Sequence, residues 1–164
     1  MKLLETYKNQ YLKEEETKEI KEFVNDIEKT IKKYFKNSTL DVKYSTNLLE
    51  SIWIYFAIGE KKYWSYGYAD NSPVNVKCSI YKATENSNFL EKMEFKPQIS
   101  KIYIKPENPQ YMEYDSVKIP ARKATGNKDK ILNTIDKLFS NVKKLTKENI
   151  PNFKDEHSWI KKYI

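Results

Sequence analysis

His157, within Asp155-Glu156-His157, is the single histidine of the chain, and Cys78 is its single cysteine. Nucleophilic catalysis needs a base held against an activated hydroxyl or thiol in a rigid setting. His157 stands in the final segment, a poor place to build such a site. One histidine beside two adjacent carboxylates also does not define a metal site by local geometry. Cys78 alternates with Val76 and Ile80, which reads as a small buried hydrophobe rather than a reactive thiolate. With only three glycines as well, the composition excludes disulfide scaffolds, multi-ligand Cys/His zinc sites and glycine-rich phosphate loops. No cofactor or metal is expected, and catalysis is the less favoured reading.

A metal-dependent nuclease would use carboxylates and a lysine on a strand, with an acidic-x-Lys triplet holding a divalent ion and positioning water. The chain has five such triplets, at Glu16, Glu19, Asp41, Glu60 and Glu94, and its lysine and acid content alone generates about as many. Only Asp41 with Lys43 falls on a convincing strand, with Glu50 and Asp70 as conceivable partners. The nuclease is therefore a minor alternative.

The chemistry that stands out is aromatic. The chain has 164 residues, 14% of them Phe, Trp or Tyr, and the aromatic residues crowd between positions 53 and 81. Gly59-Glu60 suits a two-residue type II′ hairpin turn, which predicts that Ile58 pairs with Lys61. The register then sets Tyr55 opposite Trp64 and Trp53 opposite Tyr66, with Tyr68 next along. Carried through a turn at 70–73, it sets Tyr66 opposite Lys77, Trp64 opposite Ser79 and Tyr68 opposite Asn75. One face thus gathers Trp53, Tyr55, Trp64, Tyr66 and Tyr68, with Lys77 and Tyr81 alongside. The other holds Ile52, Ile54, Phe56 and Ile58 beside the small residues Ser65, Gly67 and Ala69, a bed for helices. Lys101, Tyr103 and Lys105 repeat the Lys/Tyr interleaving on a later strand.

Rings on a sheet face can stack on unpaired bases while neighbouring lysines hold phosphates. They can equally anchor a protein partner, because Trp and Tyr dominate interface hot spots. A third use is purely structural: cross-strand aromatic pairs stabilise the sheet or are covered by the terminal segments. A fourth is a small-ligand pocket lined by the rings.

These residues need elements to position them. Ile20, Phe23, Val24, Ile27, Ile31, Tyr34 and Phe35 recur at three- and four-residue steps and predict an amphipathic helix over 14–36. Leu4, Tyr7 and Tyr11 share helical spacing but fall nearly opposite that stripe at 100° per residue. This phase change predicts a break near 14–17, making residues 1–13 a separate arm or short helix. Ile131, Leu132, Ile135, Leu138, Phe139, Val142 and Leu145 predict a second helix over 128–147, with Gly126-Asn127 supplying its N-cap. Between the helices the period changes to two, with strands expected at 40–44, 50–58, 61–69, 74–80, 99–105 and 111–119, and one helical turn at 89–93. The expected fold is α+β: an antiparallel sheet of about six strands with an N-terminal and a C-terminal amphipathic helix packed on one face, in a single domain over 14–150. Residues 151–164 form a tail in which Trp159, Ile160 and Tyr163 have the spacing of a short docked helix.

Thirty basic against 23 acidic residues give a net charge of +7, but Arg122 is the only arginine. Bidentate phosphate and base recognition favours guanidinium, so a direct single-stranded nucleic-acid binder ranks second. More than half of the net charge lies in residues 127–164. The sequence shows neither an apolar leader nor a membrane-spanning run, so the expected setting is cytoplasmic, with no membrane partner. The leading expectation is a non-catalytic binding protein whose aromatic, lysine-rimmed sheet face engages a protein or nucleoprotein complex. Small lysine-rich domains of this type are often phage or mobile-element inhibitors or adaptors, an analogy that no motif supports.

Overall fold

The computed structural model describes residues 2–46, 49–58, 64–65, 68–69, 74–85, 88–104, 112–116 and 123–149. Helix α1 spans Lys2–Lys32 and is followed by β1 (Thr39–Ser45) and β2 (Ser51–Ala57). Two short strands come next, β3 (Trp64–Ser65) and β4 (Tyr68–Ala69), then β5 (Val74–Lys82), β6 (Met93–Ile104), β7 (Met112–Ser116), β8 (Ala124–Gly126) and helix α2 (Lys128–Asn149). The fold is α+β. An antiparallel sheet runs in the order β1-β2-β5-β6-β7, with β8 also paired to β6, and β3 and β4 form a separate two-stranded ribbon.

The core lies between the sheet and the two helices. Ile52, Ile54 and Phe56 of β2, Val76, Cys78 and Ile80 of β5, and Met93 and Phe95 of β6 are fully buried on one sheet face. Ile20, Phe23, Ile27 and Ile31 of α1, and Ile131, Ile135, Phe139 and Val142 of α2, complete that cluster. Phe35, Phe56 and Phe139 join both helices to the sheet, with ring centroids 4.8 Å apart for Phe35–Phe56 and 5.2 Å for Phe56–Phe139. The end of α1 is also tied to α2 by polar bonds. Tyr34 donates its hydroxyl to Asp136 Oδ1 at 2.9 Å, and the Lys143 ammonium donates to the Tyr34 carbonyl at 2.8 Å. Asn127 caps α2 as its position predicts, its side-chain oxygen accepting the Lys130 N–H at 3.1 Å.

Three expectations need correction. First, α1 is continuous through residues 14–17. Its Lys, Glu, Leu and Gln content favours helix and no Pro or Gly interrupts it, so a shift in the apolar stripe leaves the backbone intact. Second, the strand expected at 99–105 begins six residues earlier, at Met93, after a turn in which the Glu91 N–H bonds the Asn88 carbonyl at 3.1 Å. Met93 and Phe95 alternate onto the buried face, and Phe95 pairs with Ile80. Third, β2 does not pair with the 61–69 segment. Its neighbours are β1 and β5, with Ile54 opposite Cys78 and Phe56 opposite Val76. Trp64 instead faces Ala69, and Ser65 faces Tyr68, across a two-residue connection. The physical reason is apolar matching. Nine-residue β5 extends the buried Ile52-Ile54-Phe56 face with Val76, Cys78 and Ile80, whereas 64–69 offers only small residues at those positions. The proposed turn at Gly59-Glu60 and the tail from 150 onward lie outside the described residues.

Among the described residues no helix is long and apolar enough to cross a membrane.

Candidate functional site

Both helices pack on one face of the sheet, and strand alternation sends the intervening side chains to the other. Register fixes that outer face in three rows across β1, β2, β5 and β6. Asp41, Tyr55, Lys77 and Gln98 make one row, Lys43, Trp53, Ser79 and Lys96 the next, and Ser45, Ser51, Tyr81 and Glu94 the third. The three aromatic rings and Lys77 therefore lie in the two central columns, and the outer columns carry Asp41, Lys43, Lys96 and Glu94 together with Ser45 and Gln98.

The centre is a packed cluster. The Trp53 and Tyr55 rings run nearly parallel, 12° apart with centroids at 6.2 Å, and Tyr81 meets Trp53 edge-on at 5.8 Å. Offset-parallel and edge-to-face pairs are the arrangements that ring quadrupoles favour. The Lys77 ammonium lies 5.4 Å from the Trp53 centroid and 5.6 Å from that of Tyr55, so one cation addresses two ring faces. Trp53 Nε1 donates to Ser51 Oγ at 3.2 Å, which satisfies the indole N–H within the cluster. Ser51 and Ser79 are buried beneath this cover, while Trp53, Tyr55, Lys77 and Tyr81 remain partly exposed. At the edges Lys43, Lys96 and Gln98 are exposed, and Asp41 and Glu94 partly so.

Trp53, Tyr55, Lys77 and Tyr81 are thus brought together as a face, by a route other than the proposed hairpin. Trp64 and Tyr68 lie in the β3-β4 ribbon and are not strand neighbours of β2 or β5. Because β5 takes the place they were expected to fill beside β2, Tyr55 faces Lys77 and Trp53 faces Ser79. Tyr66 falls outside the described residues. Lys101 stands in β6 in register with Val74 and Asp115, Tyr103 stands opposite Glu113, and Lys105 lies outside the described residues. Sequence reasoning missed Lys43, Lys96, Gln98, Asp41 and Glu94 as members of the face. Their alternation with Leu40, Val42, Met93 and Phe95 is legible, but which strands flank β2 and β5 is not.

Among the described residues the remaining candidate chemistry does not assemble. Asp41 pairs with Tyr55, whereas Glu50 precedes Ser51, which pairs with Ser45. At about 3.4 Å per residue, the two carboxylate positions are roughly 17 Å apart along the strands, too far to share an ion. Asp70 is outside the described residues. Among those described, no three His, Cys, Asp or Glu side chains are grouped to hold a metal ion. Cys78 points into the core, and burial pushes its thiol far above the ordinary range, the opposite of an activated nucleophile. What this surface can do is present rings and opposite charges to another molecule. Compared with models of known families, with curated proteins and with solved structures, the chain matches none.

Proposed function

We propose that this chain is a non-catalytic binding protein that engages a protein or nucleoprotein complex through the outer face of its sheet, centred on Trp53, Tyr55, Lys77 and Tyr81. The observation that carries the reading is the partly exposed ring cluster on the sheet face opposite α1 and α2, edged by charges of both signs. Interfaces between proteins have this anatomy, with aromatic anchors at the centre and a polar rim. A face built for a polyanion would carry one sign throughout. Here Asp41 and Glu94 stand beside Lys43, Lys77 and Lys96.

The test is a cross-linked capture from native lysate with three forms of the chain: wild type, Trp53→Ala/Tyr55→Ala, and Lys137→Ala on the exposed side of α2. The expected result is a protein set held by wild type and Lys137→Ala and lost by the double variant. An unchanged set in the double variant overturns the reading.

Lys77 beside two ring faces also supports a second reading, direct binding of single-stranded nucleic acid by stacking. It predicts oligothymidylate binding that falls steeply with salt and is lost in Trp53→Ala/Tyr55→Ala. Absence of binding at low salt removes it.

A further inference from the structure

Resting on the reading of the outer face as a protein-docking surface, we propose that its partner presents an extended acidic segment. In that segment two carboxylates lie two residues either side of an apolar or aromatic side chain, seated along the row Lys43, Trp53, Ser79 and Lys96.

The register gives the spacing. Lys43 in β1 and Lys96 in β6 end a single row with β2 and β5 between them. Three inter-strand steps of about 4.8 Å separate their backbones by about 14 Å. An extended chain advances about 14 Å over four residues, with side chains two apart on the same side. A segment lying across the strands therefore brings carboxylates to both lysines while the residue between them meets the middle of the row. At that middle the partly exposed Trp53 ring stands beside buried Ser79, so the central side chain meets the aromatic cluster.

Charge sets the polarity. Lys43 and Lys96 are exposed, and among the described residues neither is held in an ion pair. Lys77 places a third ammonium beside Trp53. The two acids of the face, Asp41 and Glu94, occupy diagonally opposite corners in the adjacent rows, outside the Trp53 row. The row itself is positive at both ends, which favours an acidic partner there.

The probe is a synthetic extended heptapeptide with glutamates two residues either side of a central phenylalanine, titrated into the isotope-labelled full chain and followed by amide and indole NMR shifts. Expected are shifts at Lys43, Trp53, Ser79 and Lys96. Lys43→Glu/Lys96→Glu should weaken binding about tenfold or more, and the same variant should take up the peptide whose glutamates are replaced by lysines. The proposal is overturned if the shifts map elsewhere, if a peptide with its two glutamates adjacent binds equally well, or if the charge-swapped pair fails to restore binding. It is also overturned in favour of nucleic acid if oligothymidylate moves the same signals at lower concentration than the peptide. Failure of the peptide arms leaves the docking reading to its own test, the capture by Trp53→Ala/Tyr55→Ala. Loss of both overturns both.

Discussion

Lys77 contributes through position as much as through charge, because its ammonium lies 5.4 Å from the Trp53 ring centroid and 5.6 Å from that of Tyr55. Lys77→Ala should lower stability by about 0.5–1 kcal/mol, the worth of a cation–π contact near the surface. Lys77→Arg should retain most of it. Urea unfolding with matched slopes measures the difference, and a Lys77→Met variant as stable as wild type would show that the side chain acts by packing alone. One residue further along β5, Cys78 experiences the opposite environment. It is fully buried, and desolvation raises its thiol pKa well above the usual range. A thiol reagent such as DTNB should leave native protein unmodified at pH 8 and react fully in denaturant. Rapid native labelling would mean that β5 opens locally.

The elements are held in place by contacts that join the residues just past α1 to the first half of α2. Asp136 of α2 accepts from the Lys33 ammonium and the Tyr34 hydroxyl just past the end of α1. The Lys33 hydrogen bond, aided by Tyr34, keeps the Asp136 carboxyl below the usual carboxylate range despite some desolvation, and the same bond raises Lys33. The unfolded chain binds the proton more tightly at Asp136, so this contribution to stability is present above the ordinary carboxylate pKa and is lost as pH falls through the depressed folded value. At the alkaline end, the Lys33 share is present below the ordinary lysine value and is lost as pH rises through the raised one. Asp136→Asn should therefore reduce stability at neutral pH and flatten its decline in acid, as read from thermal melts over an acidic series. A decline as steep as in wild type would assign acid sensitivity to other carboxylates. The same scale explains the continuous α1. The apolar stripe beginning at Ile20 is legible because it has helical period, but propensity and the absence of a breaker decide whether the backbone stops when the stripe shifts.

Across the whole molecule, Phe139 is where α2, the end of α1 and β2 meet, its ring 6.5 Å from Phe35 and 5.2 Å from Phe56. Phe139→Ala should cost about 3–5 kcal/mol by removing buried ring surface and leaving a cavity between layers. Urea denaturation should show one cooperative loss of helix and sheet signals, and separate transitions would mean that the helical layer and the sheet fold independently. The α+β class, the two amphipathic helices, the Asn127 cap and the buried alternation of Val76, Cys78 and Ile80 were all readable from period and residue type, because local geometry assigns a face to each side chain. Trp53, Tyr55, Lys77 and Tyr81 were readable as one face for the same reason. Which strand lies beside which was not, because pairing is settled by competition between distant segments for the same edge. A plausible turn at Gly59-Glu60 favoured the nearby 61–69 segment, but β5 offered a longer strand whose apolar residues continue the buried Ile52-Ile54-Phe56 surface. Sequence thus determined the two kinds of surface this protein carries. Tertiary pairing alone decided that Lys43 and Lys96 flank Trp53 and that Trp64 and Tyr68 pair in a ribbon of their own.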